Sequence, residues 1–212
     1  MYCCTITNTS ELKNLPNVDV LELRVDLLKD TSMEGIQKEI ESIRRKTDLP
    51  LLFNLLPERE GGKFPNMEKD VFERLDLATK LGCEYVQVGI EWEKKSITRL
   101  IRNKGKSKII AAFYNYKKTY SLYGLKNISR RCLQTKADII RVVMTAESVK
   151  DNEKIFSLLS FIQKKYKKPV ISYCLGEHGK LSITMSEKMG SYMTFLDNSM
   201  NLKEIKKCEE IL

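Results

Sequence analysis

Short apolar runs alternate along the chain with segments in which apolar residues recur every three or four positions, the signatures of buried strands and of helices packed on them. One run departs from both. In Leu21-Glu22-Leu23-Arg24-Val25-Asp26, charged residues occupy every second position. On a strand, Glu22, Arg24 and Asp26 then share one face while Leu21, Leu23 and Val25 share the other. Val18 and Val20 precede the run, so the charges are expected to converge near one end of a barrel or sheet interior. Buried charges persist where they pair or bind something.

The other elements follow in regular order. Residues 2–6 read as a strand, 10–15 as a brief helix and 18–26 as the charged strand. Ser32 is placed to cap a helix carrying Met33, Ile36, Ile40 and Ile43, and Pro50 opens a third strand over 51–55. A glycine-containing loop, 57–65, leads to a helix over 67–81 with Val71, Leu75 and Ala78 on one face. Strands are expected at 85–89, 108–114, 139–143, 170–174 and 191–195, and helices at 96–103, 123–134 and 182–189. Ser148 and Asp151 form an S-x-x-D start for a helix whose apolar face runs from Ile155 to Tyr166, and Leu202, Ile205, Cys208 and Leu212 mark a last helix. Eight strand-and-helix alternations with buried strands predict the α/β class: a parallel sheet closed as a (β/α)8 barrel, one domain over residues 1–212.

In such a barrel, functional groups sit at the carboxyl ends of the strands and in the loops that follow. Those positions hold Glu22, Arg24, Asp26, Asn54, Glu60, Gln87, Tyr114, Arg141 and Tyr173, a ring that argues for a pocket. The net charge of +9 is spread over helix ends, where cations complement the helix dipole and leave a positive mouth suited to a small anionic metabolite. No basic-plus-aromatic module accompanies it, so no nucleic-acid partner is expected. The six cysteines lack CxxC spacing and His178 is the single histidine, so they read as reduced thiols and neither a metal site nor a cofactor is expected. His178 itself reads as a surface residue in a turn, Gly61-Gly62 as a flexible turn, and Trp92 and Tyr85 as packing residues. No run approaches the roughly 20 apolar residues of a membrane span, and the first residues lack a signal-peptide layout, which predicts a cytoplasmic location and no membrane partner.

Three segments carry a family resemblance: Glu22-Leu23-Arg24-Val25-Asp26, Glu60-Gly61-Gly62-Lys63-Phe64 after a Pro-Leu-Leu-Phe strand, and Tyr114-Asn115-Tyr116-Lys117-Lys118-Thr119. Together with Ala137-Asp138-Ile139 before the sixth strand, their order and spacing resemble type I 3-dehydroquinate dehydratases, especially the compact archaeal members. The resemblance implies a (β/α)8 barrel, generally a homodimer, of the shikimate pathway. It also implies a Schiff base on a strand-six lysine, with a strand-five histidine as general acid and base. Glu22, Arg24 and Glu60 match the family's pocket residues. The reacting residues do not match. The lysine position falls on Arg141, which has no free lone pair to attack a ketone, and the histidine position falls on Tyr114, whose ordinary pKa of about 10 suits proton shuttling poorly. The family's strand-three arginine falls on Leu56, its strand-eight loop arginine on Ile183, and its Ala-Pro-Gly-Gln lid has no counterpart beyond Phe195.

These departures predict a barrel that keeps the fold and part of the pocket but not Schiff-base dehydration. Arg141 is expected to face Glu22 and Glu60 and to pair with one of them, either as the floor of a small-anion site or as an ion-paired plug. A second reading is a lyase acting through a displaced lysine, Lys117, Lys118 or Lys180, or non-covalently through Tyr114 and Glu60. A third is a partner of an active relative.

Overall fold

Each buried run becomes a strand of one parallel sheet. The computed structural model describes residues 1–196. Its strands are β1 (Tyr2–Ile6), β2 (Val20–Arg24), β3 (Leu51–Asn54), β4 (Tyr85–Gly89), β5 (Lys108–Tyr114), β6 (Ile139–Thr145), β7 (Val170–Leu175) and β8 (Thr194–Leu196). They pair in the order β7-β6-β5-β4-β3-β2-β1-β8. Across the remaining seam the Tyr192 amide donates to the Val170 carbonyl at 2.8 Å, so the barrel is nearly closed.

Alternation along the strands separates two cores. Outward-facing Leu21, Leu23, Phe53, Val86, Ile109 and Ile140 pack against the helices, while inward-facing Val20, Leu52, Tyr85, Ile110, Ile139 and Ile171 fill the barrel. The helices are α1 (Met33–Arg44), α2 (Glu68–Lys80), α3 (Lys94–Asn103), α4 (Leu122–Gln134), α5 (Asp151–Tyr166) and α6 (Lys180–Thr184). Each of α1 to α5 turns a helical-period apolar stripe inward, as Ile36, Ile40 and Ile43 do on α1. Ser32 caps α1 by accepting from the Gly35 amide at 3.1 Å. Trp92 and Tyr85 are buried packing residues, as their sequence context suggests.

Several element ends differ from the sequence expectation. The charged strand stops at Arg24, because Val25–Leu27 forms a 3-10 turn that takes Asp26 off the strand face. The first helix is a 3-10 turn, Thr9–Asn14, capped by Asn8. The fifth helix starts at Asp151 rather than Ser148: the Asp151 carboxylate reaches back to the amides of Glu147 and Ser148 at 2.9 and 3.2 Å. Helix α6 covers only the beginning of the expected 182–189 segment. Buried Ser182 accepts from the Cys174 amide at 2.8 Å and its own amide donates to Asn152 at 2.9 Å, which ties the start of this segment to β7 and α5. Strand β8 is accordingly displaced to Thr194–Leu196. The helix expected from Leu202 onward lies outside the described residues.

Gly61-Gly62 is a constrained turn rather than a flexible one. Gly61 has a left-handed φ of 82°, and a Cβ on Gly62 would lie 1.9 Å from the Leu56 carbonyl oxygen. Backbone cannot yield as a side-chain tip does, so Gly62→Ala is expected to destabilise the protein by about 1–3 kcal/mol, measured as a lower urea midpoint.

Candidate functional site

Every strand sends one inward side chain to a polar layer above the apolar barrel filling, and Arg141 from β6 is its hub. One Nη of Arg141 donates to Glu22 Oε1 on β2 at 2.7 Å and to Gln87 Oε1 on β4 at 2.9 Å. The other donates to the Tyr173 hydroxyl on β7 at 2.6 Å. Asn54 on β3 donates to Glu22 at 2.9 Å and accepts from Gln87 at 2.7 Å. Thr5 on β1 donates to the second Glu22 oxygen at 2.7 Å, and Tyr114 on β5 donates to Gln87 at 3.0 Å. Phe195 on β8 completes the circuit, its ring centroid 3.7 Å from the guanidinium carbon. Nε of Arg141 is buried without a hydrogen-bond partner among the described residues.

The Arg141 and Glu22 side chains are only 3% and 4% exposed, so their charges depend on each other. Burial alone would lift the Glu22 carboxyl, but the charge and hydrogen bond of Arg141, with Thr5, hold it below its ordinary value. Burial likewise opposes the guanidinium charge, and Tyr114, Tyr173 and Glu22 overcome it, so Arg141 stays firmly protonated. Burial drives the Tyr114 hydroxyl well above the usual tyrosine range despite Arg141 nearby.

The other expected site residues divide. Arg24 lines the cavity, whereas Asp26 serves behind it: both Asp26 oxygens accept from Arg24 at 2.9 Å, and Oδ2 also accepts from the Lys63 amide at 3.1 Å. Arg141 makes its ion pair with Glu22 and no hydrogen bond to Glu60. Glu60 lies in the 3-10 turn Glu58–Glu60, with Oε1 buried and without a hydrogen-bond partner, its ion pair to Arg59 Nε being long at 4.0 Å; a Cβ on Gly89 would meet that oxygen at 2.1 Å. Burial pushes the Glu60 carboxyl up to about 7, against Arg59 and the Trp92 indole, with Glu91 adding to the rise. Lys117 and Lys118 are exposed, and exposed Lys180 lines the cavity while pairing with Glu177 at 2.8 Å. His178 is exposed on its turn.

Above Arg141 opens a cavity of about 490 Å³ at the carboxyl ends of the strands. Its aromatic wall includes Tyr114, Tyr116, Tyr173 and Phe195, and its apolar rim includes Leu56, Leu175, Ile183 and Leu196. Ile183 reaches it from α6, ahead of β8. Thr5, Phe195 and Tyr116 were not legible as site residues: Thr5 and Phe195 look like ordinary strand formers, and Tyr116 is brought in only by stacking on Tyr114 at 5.8 Å. Among the described residues no group of three or more His, Cys, Asp or Glu side chains could hold a metal ion, and no helix is long and apolar enough to cross a membrane.

An eight-stranded barrel with a charged central layer under an open mouth belongs among the (β/α)8 proteins that handle small molecules at their strand ends. Residues 5–201 match the family described as Type I 3-dehydroquinase, and the chain belongs to that family. It is 33% identical over 197 residues to the chloroplastic bifunctional 3-dehydroquinate dehydratase/shikimate dehydrogenase of Arabidopsis thaliana, covering 92% of this chain and 31% of that protein. A pentafunctional AROM polypeptide from Scheffersomyces stipitis is 32% identical over 174 residues, 81% of this chain and 11% of the relative. The chain thus spans a third or less of these curated relatives. Among solved structures, the dehydroquinate dehydratase and shikimate dehydrogenase from S. pombe AroM superposes with a TM-score of 0.89 at 23% identity, over 98% of this chain and 44% of that one. The type I 3-dehydroquinate dehydratase of Clostridium difficile, with covalently modified comenic acid, gives 0.89 at 19% identity over 99% and 90%.

Removing the hub strands a buried carboxylate. Arg141→Ala is expected to cost about 3–5 kcal/mol, read by urea denaturation; a loss below about 1 kcal/mol would show that Glu22 does not depend on it. Glu60 acts in the opposite sense to Glu22. Its folded value of about 7 lies above the ordinary 4.5, so its contribution is full below about 4.5 and is lost as pH rises through about 7. Glu60→Gln should therefore flatten the fall in stability between about pH 5 and pH 8, as followed by thermal melts.

Proposed function

We propose that this barrel does not dehydrate 3-dehydroquinate through a Schiff base and that its mouth is a non-covalent small-molecule site. One observation carries the reading: the Arg141 guanidinium sits at the barrel centre, buried and bonded to Glu22, Gln87 and Tyr173. Imine formation requires an uncharged amine lone pair, and a guanidinium fixed beside a carboxylate offers none. Tyr114 cannot take the family histidine's part near neutrality, since its proton is held more tightly than a free tyrosine's and is already donated to Gln87.

The retained cavity supports binding. Its volume of about 490 Å³ lies within the ~300–1,000 Å³ typical of small-molecule sites. The reading makes the protein a cytoplasmic homodimer with a small-molecule ligand and no nucleic-acid or membrane partner. A second reading, a lyase working through a displaced amine, is favoured by one feature: Lys180 lines the same cavity, although Glu177 neutralises it.

The purified protein incubated with 3-dehydroquinate is expected to form no conjugated enone by ultraviolet absorbance and to gain no mass after borohydride reduction. Turnover, or a reduced adduct on any lysine, overturns the proposal. The Arg141→Lys, Tyr114→His double variant is also expected to remain inactive, because the resemblance puts apolar Leu56 and Ile183, both on the cavity lining, where the family has its carboxylate-clamping arginines.

A further inference from the structure

Resting on the reading of the mouth as a binding site, we infer that its ligand is an uncharged planar ring bearing hydroxyl groups rather than a carboxylate. Three cations line the cavity, and each already has its own anion. Arg141 is paired with Glu22 at 2.7 Å, Arg24 is gripped by both oxygens of Asp26 at 2.9 Å, and Lys180 is paired with Glu177 at 2.8 Å. A carboxylate entering this site gives up its hydration without meeting a free counter-charge, a cost that hydrogen bonds to neutral groups offset only in part. Long-range attraction by the net charge does not alter this, because solvent salt screens it beyond about 8 Å while the lining acts at contact.

What the lining offers is aromatic surface with hydroxyls between. Tyr114 and Tyr116 stack with centroids 5.8 Å apart and planes 6° from parallel, and Tyr173 and Phe195 pair at 5.7 Å and 31°. Both pairs line the same cavity. Tyr116 is 44% exposed, so one aromatic residue remains available to an incoming ring. Offset or edge contacts with such rings stabilise a bound aromatic ring beyond the area it buries. The Thr5 and Thr7 hydroxyls on the same lining give their protons to Glu22 and Glu11, so their oxygens are left to accept from a ligand hydroxyl without requiring a charge.

The test compares two probes that differ in one group, catechol and 3,4-dihydroxybenzoate, by ligand-observed NMR titration of the whole protein. Catechol is expected to bind at least ~10-fold more tightly, a difference of about 1.4 kcal/mol. Tyr116→Ala is expected to weaken catechol, and Leu56→Arg, which adds an unpaired cation at the rim, is expected to reverse the preference. Tighter binding of the benzoate by the unmodified protein overturns the neutral-ring inference while leaving a non-covalent site in place. Binding of neither probe overturns the inference as well. A lysine adduct trapped by borohydride, by contrast, overturns the non-covalent reading itself, so the two failures are told apart.

Discussion

The ion pair between Arg141 and Glu22 is the constraint on which the centre of the barrel depends. Seven hydrogen bonds described above and one ring contact connect it to all eight strands, with Thr5, Asn54, Gln87, Tyr114, Tyr173 and Phe195 as the other members. In a parallel barrel a slip of one residue between neighbours exchanges inward and outward side chains. Such a slip would drive Glu22 into the apolar layer under α1 and bring Leu21 or Leu23 against the guanidinium. The polar layer thus opposes misregister more sharply than the apolar layers do, where one aliphatic side chain can replace another at modest cost.

That layer also bears on chemistry. An amine nucleophile needs surroundings that make its charge costly, so that the neutral form is accessible. The surroundings of position 141 do the reverse: a carboxylate at 2.7 Å, an amide oxygen at 2.9 Å and a phenol oxygen at 2.6 Å all accept from the cation. Such a shell suits a group that is charged at every physiological pH. Family membership and barrel architecture fix the fold, while the chemistry resides in the site that the fold carries.

Much of this was visible in the chain because the period of two along a strand is strict. Glu22 and Arg24 stand out between aliphatic residues, Arg141 is a lone cation within Ile-Ile-Arg-Val-Val, and Asn54, Gln87, Tyr114 and Tyr173 are polar positions in or at the ends of apolar runs. The pattern fails where the strand does. Asp26 continues the alternation in sequence, yet the 3-10 turn over Val25–Leu27 rotates it behind Arg24, where it fixes the guanidinium instead of facing the cavity. Glu60 depends on a loop path set by the left-handed Gly61 and the close approach of Gly62 to Leu56, which periodicity does not encode. Phe195 and Thr5 gain their roles only when β8 and β1 come together, a long-range event with no local signature.

A buried ion pair is seldom the most stabilising way to fill a space, since apolar groups of similar volume often do as well. Its value here lies in direction. One oxygen of Glu22 must meet Thr5 while the other meets both Asn54 and Arg141, and the guanidinium must meet Gln87 and Tyr173 at once. Substituting lysine at 141 would put a single ammonium where two nitrogens now reach separate partners. The acceptor shell around position 141 is contributed by neighbouring strands, and a change at the sixth strand alone leaves that shell intact.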